Sequence, residues 1–100
     1  MVKAIGWRLE KYTTRFQNEV LIVNLEHSSG DNDTVLVYNG FSGSLVRNTT
    51  YDPDIPVIEH DAKIITVDRL ASPYDPAQPK YIERGLTSLD MEKLLLEAGF

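Results

Sequence analysis

Two short apolar runs, Glu19–Leu25 and Thr34–Tyr38, flank a polar connection made mainly of serine, glycine, aspartate and asparagine residues. Both runs are rich in β-branched residues, which favour strands, and the connection contains residues that tolerate tight or left-handed turns. The pattern therefore predicts a β-hairpin with strands at about 19–26 and 34–39. Apolar residues occupy both faces of the first run, which is typical of a central strand.

Residues 4–13 alternate between apolar and polar positions. The apolar positions are Ile5, Trp7 and Leu9. An alternation of period two is the pattern of a half-buried strand, because successive side chains of a strand point to opposite faces. The sequence thus predicts a basic N-terminal strand, with Trp7 toward the core and with Arg8 and Tyr12 toward solvent.

The middle of the chain is less regular. Two glycines in residues 39–46 predict either a bend or bulge within the preceding strand or the start of another strand. Proline, asparagine and aspartate residues predict an exposed loop over 47–56. Strand character returns at Val57 and Ile58 and again over 63–68.

The C-terminal segment 88–98 has the signals of a helix. Thr87 and Asp90 have the spacing of a capping box, and Gly99 follows as a stop signal. The predicted apolar face of this helix comprises Leu89, Leu94, Leu95 and Ala98. A helix of three turns is marginal alone, so it should dock on the sheet through Leu94 and Leu95.

These elements predict an α+β fold that is mostly β, within a single domain over residues 1–100. The expected architecture is a curled antiparallel sheet or small barrel of about five strands with one C-terminal helix. Three prolines within 72–79 predict an extended strap that crosses the surface.

The amino-acid composition excludes several kinds of functional site. The 100 residues include no cysteine, so disulfides, thiolate zinc sites and cysteine nucleophiles are excluded. No apolar run approaches the roughly 18 residues of a membrane span, and the N-terminus lacks a secretion signal. We therefore expect a soluble cytoplasmic protein that uses no cofactor and does not bind a membrane.

Charge raises one alternative function. The net charge of −5 disfavours nucleic acid, yet residues 1–15 carry about +3 with aromatic residues interleaved. Single-stranded nucleic acid can be bound by such a mixture of charge and stacking. The residues of this alternative site are Lys3, Arg8, Lys11, Tyr12 and Arg15.

The histidines raise a third possibility, a small metal-dependent or hydrolytic enzyme. His27 and His60 each lie beside carboxylates, and imidazole is the usual acid or base near neutral pH. Both histidines lie where a predicted strand ends, however, so solvated turn positions are the favoured interpretation. Neither catalytic residues nor metal ligands are assigned from the sequence.

The favoured hypothesis is a non-catalytic protein-binding or assembly module, present as a monomer or weak dimer. Aromatic and apolar residues around the long 39–56 segment are typical of partner sites on well-anchored loops. They are Phe41, Leu45, Tyr51 and Ile55. The alternative is that these side chains only fix the loop against the domain.

Three segments, residues 35–46, 51–56 and 65–69, resemble small uncharacterised proteins of cyanobacteria and plastids. The resemblance covers about residues 19–98. It implies a cytosolic or stromal setting in a photosynthetic lineage and an auxiliary binding or assembly role. No activity or residue role is implied by it.

Overall fold

The computed structural model describes residues 5–45, residue 58 and residues 62–100. In chain order the elements are α1 (Ile5–Arg15), β1 (Glu19–Glu26), β2 (Asn32–Tyr38), β3 (Phe41–Ser44), β4 (Lys63–Ala71), β5 (Tyr81–Leu86) and α2 (Ser88–Glu97). No helix in these ranges is long and apolar enough to cross a membrane.

The five strands form one antiparallel sheet in the order β3-β2-β1-β4-β5. The predicted mostly-β fold with a C-terminal helix is confirmed. The barrel alternative is wrong, because β3 and β5 lie at opposite edges and do not pair with each other. The central position predicted for β1 is confirmed by its pairing with both β2 and β4.

The predicted N-terminal strand is wrong, because residues 5–15 form a helix. Apolar or aromatic side chains recur at spacings of four, three and four residues, which place them on one side of a helix. They are Ile5, Leu9, Tyr12 and Phe16. The predicted orientations are also reversed, since Trp7 is 43% exposed whereas Arg8 and Tyr12 are buried.

Both helices lie on one side of the sheet and run parallel to each other. The end of α1 is joined by a short turn to the start of β1, and α2 starts directly after β5, which runs parallel to β1. Contacts match this arrangement: Arg8 Nη1 lies 2.7 Å from Glu92 Oε2, and Arg15 Nη1 donates to the Ala98 carbonyl. The helices therefore begin at the same end of the sheet.

The core fills the space between the helices and the sheet. Its buried residues are Leu9, Tyr12, Leu21, Val23, Leu25, Val35, Val37, Ile58, Val67, Leu86, Met91 and Leu95. Leu95 is buried as predicted and Leu94 is partly buried, but Leu89 is 64% exposed and Met91 takes the inward position instead. The predicted capping box of α2 is present, with Asp90 N donating to Thr87 Oγ1 at 3.1 Å.

The connections decide one open alternative and correct two further expectations. Asn39 and Gly40 both have positive φ, so the chain reverses in a two-residue turn and residues 41–44 form a separate strand. The proline-rich segment 72–79 closes the β4–β5 hairpin, where Ala71 N donates to the Lys80 carbonyl at 2.8 Å. Ile58 is buried outside any strand, and Val57 lies outside the described residues.

Candidate functional site

The side of the sheet opposite α1 and α2, here called the helix-free face, carries the best candidate for a binding site. On β2, Val35 and Val37 are buried toward the helices, so the alternating positions Leu36 and Tyr38 point to the helix-free face. Tyr38 lies directly opposite Phe41 on β3, and residues opposite each other in an antiparallel pair share a face.

Three exposed apolar side chains define what we call the hairpin patch: Tyr38, Phe41 and Leu45. Their exposed fractions are 37%, 77% and 51%. Leu45 N donates to the Thr34 carbonyl at 2.7 Å, which continues the β2–β3 register beyond the last strand residue. Phe41 and Leu45, which the sequence grouped together, therefore lie on the same face.

Gly43 lies between Phe41 and Leu45 on this face. Its partner on β2 is Leu36, and a Cβ placed on Gly43 would meet no atom within 4 Å. The glycine leaves a notch between two exposed apolar side chains, with Leu36 beside it. A partner side chain can enter such a notch and contact apolar atoms on three sides.

Hydrogen bonds to the opposite side hold β3 in place. Ser42 Oγ donates to Glu10 Oε2 on α1 at 2.7 Å, and Ser44 Oγ donates to Asp33 Oδ1 at 2.7 Å. The turn is also tied to α1, because Gly40 N donates to Thr13 Oγ1 at 3.0 Å. The strand that presents Phe41 is therefore fixed on its helix-facing side.

The rest of the helix-free face limits the patch. Val20 and Leu70 pair with each other on this face, yet both are buried. Toward the other end, Asn24 bonds to Thr66 Oγ1 and accepts from Thr34 Oγ1, both at 3.0 Å, which makes a polar row. These buried and polar positions separate the hairpin patch from Tyr81 on β5, which pairs with Leu70 on the same face and is 42% exposed.

Two members of the predicted partner site, Tyr51 and Ile55, lie outside the described residues. Tyr38 was missed by the sequence reasoning, because its place beside Phe41 depends on the two-residue turn. The signal was present in the Asn39–Gly40 dipeptide, which is a strong mark of a tight hairpin turn.

The structure separates the residues of the predicted nucleic-acid site. Arg8 is buried and bonded to Glu92 and to the Phe100 carbonyl, and Arg15 donates to the Ala98 carbonyl. Arg15 therefore lies at the C-terminal end of α2, where a helix favours cations, and Arg8 pairs with a carboxylate in the middle of the helix. Lys11 is exposed beside the Trp7 ring, whereas Lys3 is outside the described residues.

Tyr12, the remaining member of that set, belongs to a buried network. Its hydroxyl donates to Glu19 Oε1 at 2.9 Å, and Arg69 Nε donates to the same oxygen at 2.7 Å. Burial, followed by the hydrogen bond to Glu19, raises the pKa of Tyr12 to about 12. The hydrogen bond to Glu19 raises the pKa of Arg69, which also donates to Glu83 at 2.8 Å.

The expectation of a solvated turn position is wrong for His27, which is buried. Its Nε2 lies 2.9 Å from Asp33 Oδ2, and Ser44 Oγ donates to the other oxygen of the same carboxylate. Ser44 thus donates to the carboxylate and not to the imidazole, which differs from the order that activates a serine nucleophile. His60 lies outside the described residues.

Metal chemistry has little support in the described ranges. They contain no group of three or more histidine, cysteine, aspartate or glutamate side chains that could hold a metal ion. The His27–Asp33 pair supplies only two such groups. Its buried, mutually bonded arrangement is that of a structural polar pair.

Comparison with protein-family models matches residues 6–95 to the family described as "Domain of unknown function (DUF7734)". The match includes all five strands and most of both helices. No curated protein and no solved structure matches the chain.

Proposed function

We propose that this chain, which belongs to the DUF7734 family of domains of unknown function, is a non-catalytic protein-binding module. The hairpin patch would be its partner site. The observation that carries this proposal is the 77% exposure of Phe41 on a strand that is hydrogen-bonded to α1 and β2 from its other side. An exposed aromatic side chain on a fixed strand is costly to leave in water and needs little ordering when a partner binds.

Charge supports a protein partner more than a nucleic acid. The chain has a net charge of −5, and two arginines of its basic segment are engaged by α2. Aromatic anchors at the centre of an interface commonly carry most of its binding energy. We therefore expect Phe41 to fill a pocket on the partner and the Gly43 notch to receive a partner side chain.

The proposed setting is a cytosolic or stromal compartment, and the proposed state is a monomer or weak dimer. A chain without cysteine is compatible with a reducing compartment. The resemblance of residues 35–46, 51–56 and 65–69 to proteins of cyanobacteria and plastids supports the stromal alternative.

The test uses affinity capture from the native organism, with the wild-type protein and a Phe41→Ala, Leu45→Ala double variant as baits. The matched control is Leu96→Ala, because Leu96 is 63% exposed but lies on α2. All three baits must first show the same circular dichroism spectrum and urea denaturation midpoint. We expect a partner that is held by the wild-type and control baits and lost by the double variant.

The recovered partner is then titrated by calorimetry. Phe41→Ala alone should raise Kd by about tenfold or more, the effect of removing an interface anchor. Equal Kd values for the wild type and the double variant would refute the hairpin patch as the site. If capture instead yields nucleic acid whose binding weakens with salt and in a Lys11→Glu variant, the basic segment becomes the better candidate.

A further inference from the structure

A cavity of about 450 Å³ lies on the other side of the sheet, between the first halves of the two helices and β4. Its described lining includes Leu9, Ala62, Lys63, Val67, Leu89 and Met91. The volume is within the range of small-molecule sites. This cavity is separate from the hairpin patch, which lies on the helix-free face of β2 and β3, with β1 between β2 and β4.

The floor of the cavity is apolar. Leu9, Val67 and Met91 are each at most 1% exposed, and each belongs to a different element of the core. Leu89 forms part of the rim and is 64% exposed. Helix formation does not require a leucine there, because several polar residues have a similar helix propensity. An exposed leucine beside an apolar cavity extends the apolar surface to the mouth.

The mouth carries a cation. Both helices begin at this end of the sheet, but the first turn of α2 is already capped by Thr87 and Asp90 and offers no open anion site. Lys63, an exposed lining residue at the start of β4, adds a full charge. Glu92 is the one described carboxylate among the lining residues, and Arg8 balances its charge at 2.7 Å.

We propose that this cavity binds a single-chain carboxylate, with the alkyl chain against Leu9, Val67 and Met91. The carboxylate would lie at the mouth, beside Lys63. An apolar floor with a cationic mouth matches the two ends of such a molecule, whereas a neutral apolar molecule would satisfy only the floor.

The probes are decanoate and decanol, which have the same chain length but differ in the charge of the head group. Each is titrated into the ¹⁵N-labelled full chain below its aggregation concentration, and amide shifts are followed by NMR. We expect saturable shifts at Ser88 and Leu89, with decanoate bound at least about threefold more tightly than decanol. Absence of saturable shifts, or equal affinities for both probes, would overturn the proposal.

Three variants locate the binding. Lys63→Gln should weaken decanoate about threefold and leave decanol unchanged, whereas Lys93→Gln, an exposed position of α2 that does not line the cavity, should change neither. Ala62→Phe fills the cavity and should abolish both affinities. Ile5→Trp fills it from the opposite wall and replaces Ala62→Phe if that variant does not fold.

Binding of decanoate with unchanged affinity to a folded cavity-filling variant would overturn the proposed location. A Lys63→Gln variant that binds decanoate as tightly as the wild type would overturn the role of the cationic mouth. Neither result bears on the protein-binding proposal, because none of these substitutions lies on the helix-free side of β2 or β3.

Discussion

Replacing Tyr12 by phenylalanine removes one hydroxyl from the buried network that joins α1 to the sheet. That hydroxyl donates to Glu19 Oε1 at 2.9 Å, and Arg69 Nε donates to the same oxygen at 2.7 Å. A hydrogen bond to a charged group contributes about 1.5–3 kcal/mol to the free energy of unfolding. Because Glu19 keeps Arg69 in the variant, we expect a loss near the lower end, about 1.5–2 kcal/mol at neutral pH.

The pH dependence of this loss is the sharper test. Burial and Glu19 raise the pKa of Tyr12 to about 12, against about 10 in the unfolded chain. A phenol with a raised pKa contributes stability that is fully present below pH 10 and is lost as the pH rises through 12. By linkage, this group alone lowers the free energy of unfolding of the wild type by about 0.4 kcal/mol at about pH 10 and about 1.4 kcal/mol at about pH 11.

The Tyr12→Phe variant has no phenol at this position, so its stability lacks this contribution to the pH profile. The difference between the wild type and the variant should therefore shrink to about 0.6 kcal/mol or less at about pH 11. This difference is measured by urea denaturation, followed by far-ultraviolet circular dichroism, at several pH values between neutral pH and about pH 11. Tyr81→Phe is the control, because the Tyr81 side chain is 42% exposed and its variant should follow the wild-type profile. A difference that stays constant over the whole range would refute the account of the network.

Two smaller predictions use the same denaturation assay. Leu95→Ala should lower the free energy of unfolding by about 2–5 kcal/mol because Leu95 is fully buried, whereas Leu96→Ala next to it, 63% exposed, should change it by less than about 0.5 kcal/mol. Thr87→Ala should cost about 1 kcal/mol because it removes the acceptor for Asp90 N, and Thr87→Ser should keep most of that stability. A Thr87→Ser variant as unstable as Thr87→Ala would contradict the capping role.

The strands β1 and β2 and the helix α2 could be predicted because local signals there agree with the tertiary structure. β-branched runs form the central hairpin, and the capping box marks the start of α2 within one residue. In these segments the burial pattern and the intrinsic preferences of the residues favour the same secondary structure. The predicted end of α2 at Gly99 agrees as well, since the helix ends at Glu97 and Gly99 has a positive φ.

The helix α1 shows how two patterns in one segment can compete. Alternation over Ile5, Trp7 and Leu9 covers three positions only, whereas the helical spacing that continues to Tyr12 and Phe16 covers the whole segment. The helical pattern was hidden because an arginine lies on the buried side. Arg8 can be buried only because Glu92 and the Phe100 carbonyl accept its hydrogen bonds. Both acceptors lie more than 80 residues away in the sequence.

The edge strands could not be predicted for a different reason. Five of the six residues of β5 are exposed, so no alternation of apolar and polar positions marks it as a strand. β3 has only four residues, including a glycine, and exists because the turn at Asn39 and Gly40 returns the chain to β2. The grouping of Phe41 with Leu45 followed from the sequence, but the pairing of Phe41 with Tyr38 could be known only from the register of β2 and β3.

The two proposed sites can succeed or fail separately because of where the sheet places them. The hairpin patch lies at the β3 edge on the helix-free face, and the cavity lies over β4 on the helix side, with β2 and β1 between these strands. Effects of substitutions at distant sites with no shared partner usually add. Phe41→Ala should therefore leave decanoate binding unchanged, and Lys63→Gln should leave partner binding unchanged. A change in either would mean that β1 and β2 transmit a conformational difference across the sheet, since no described side chain belongs to both sites.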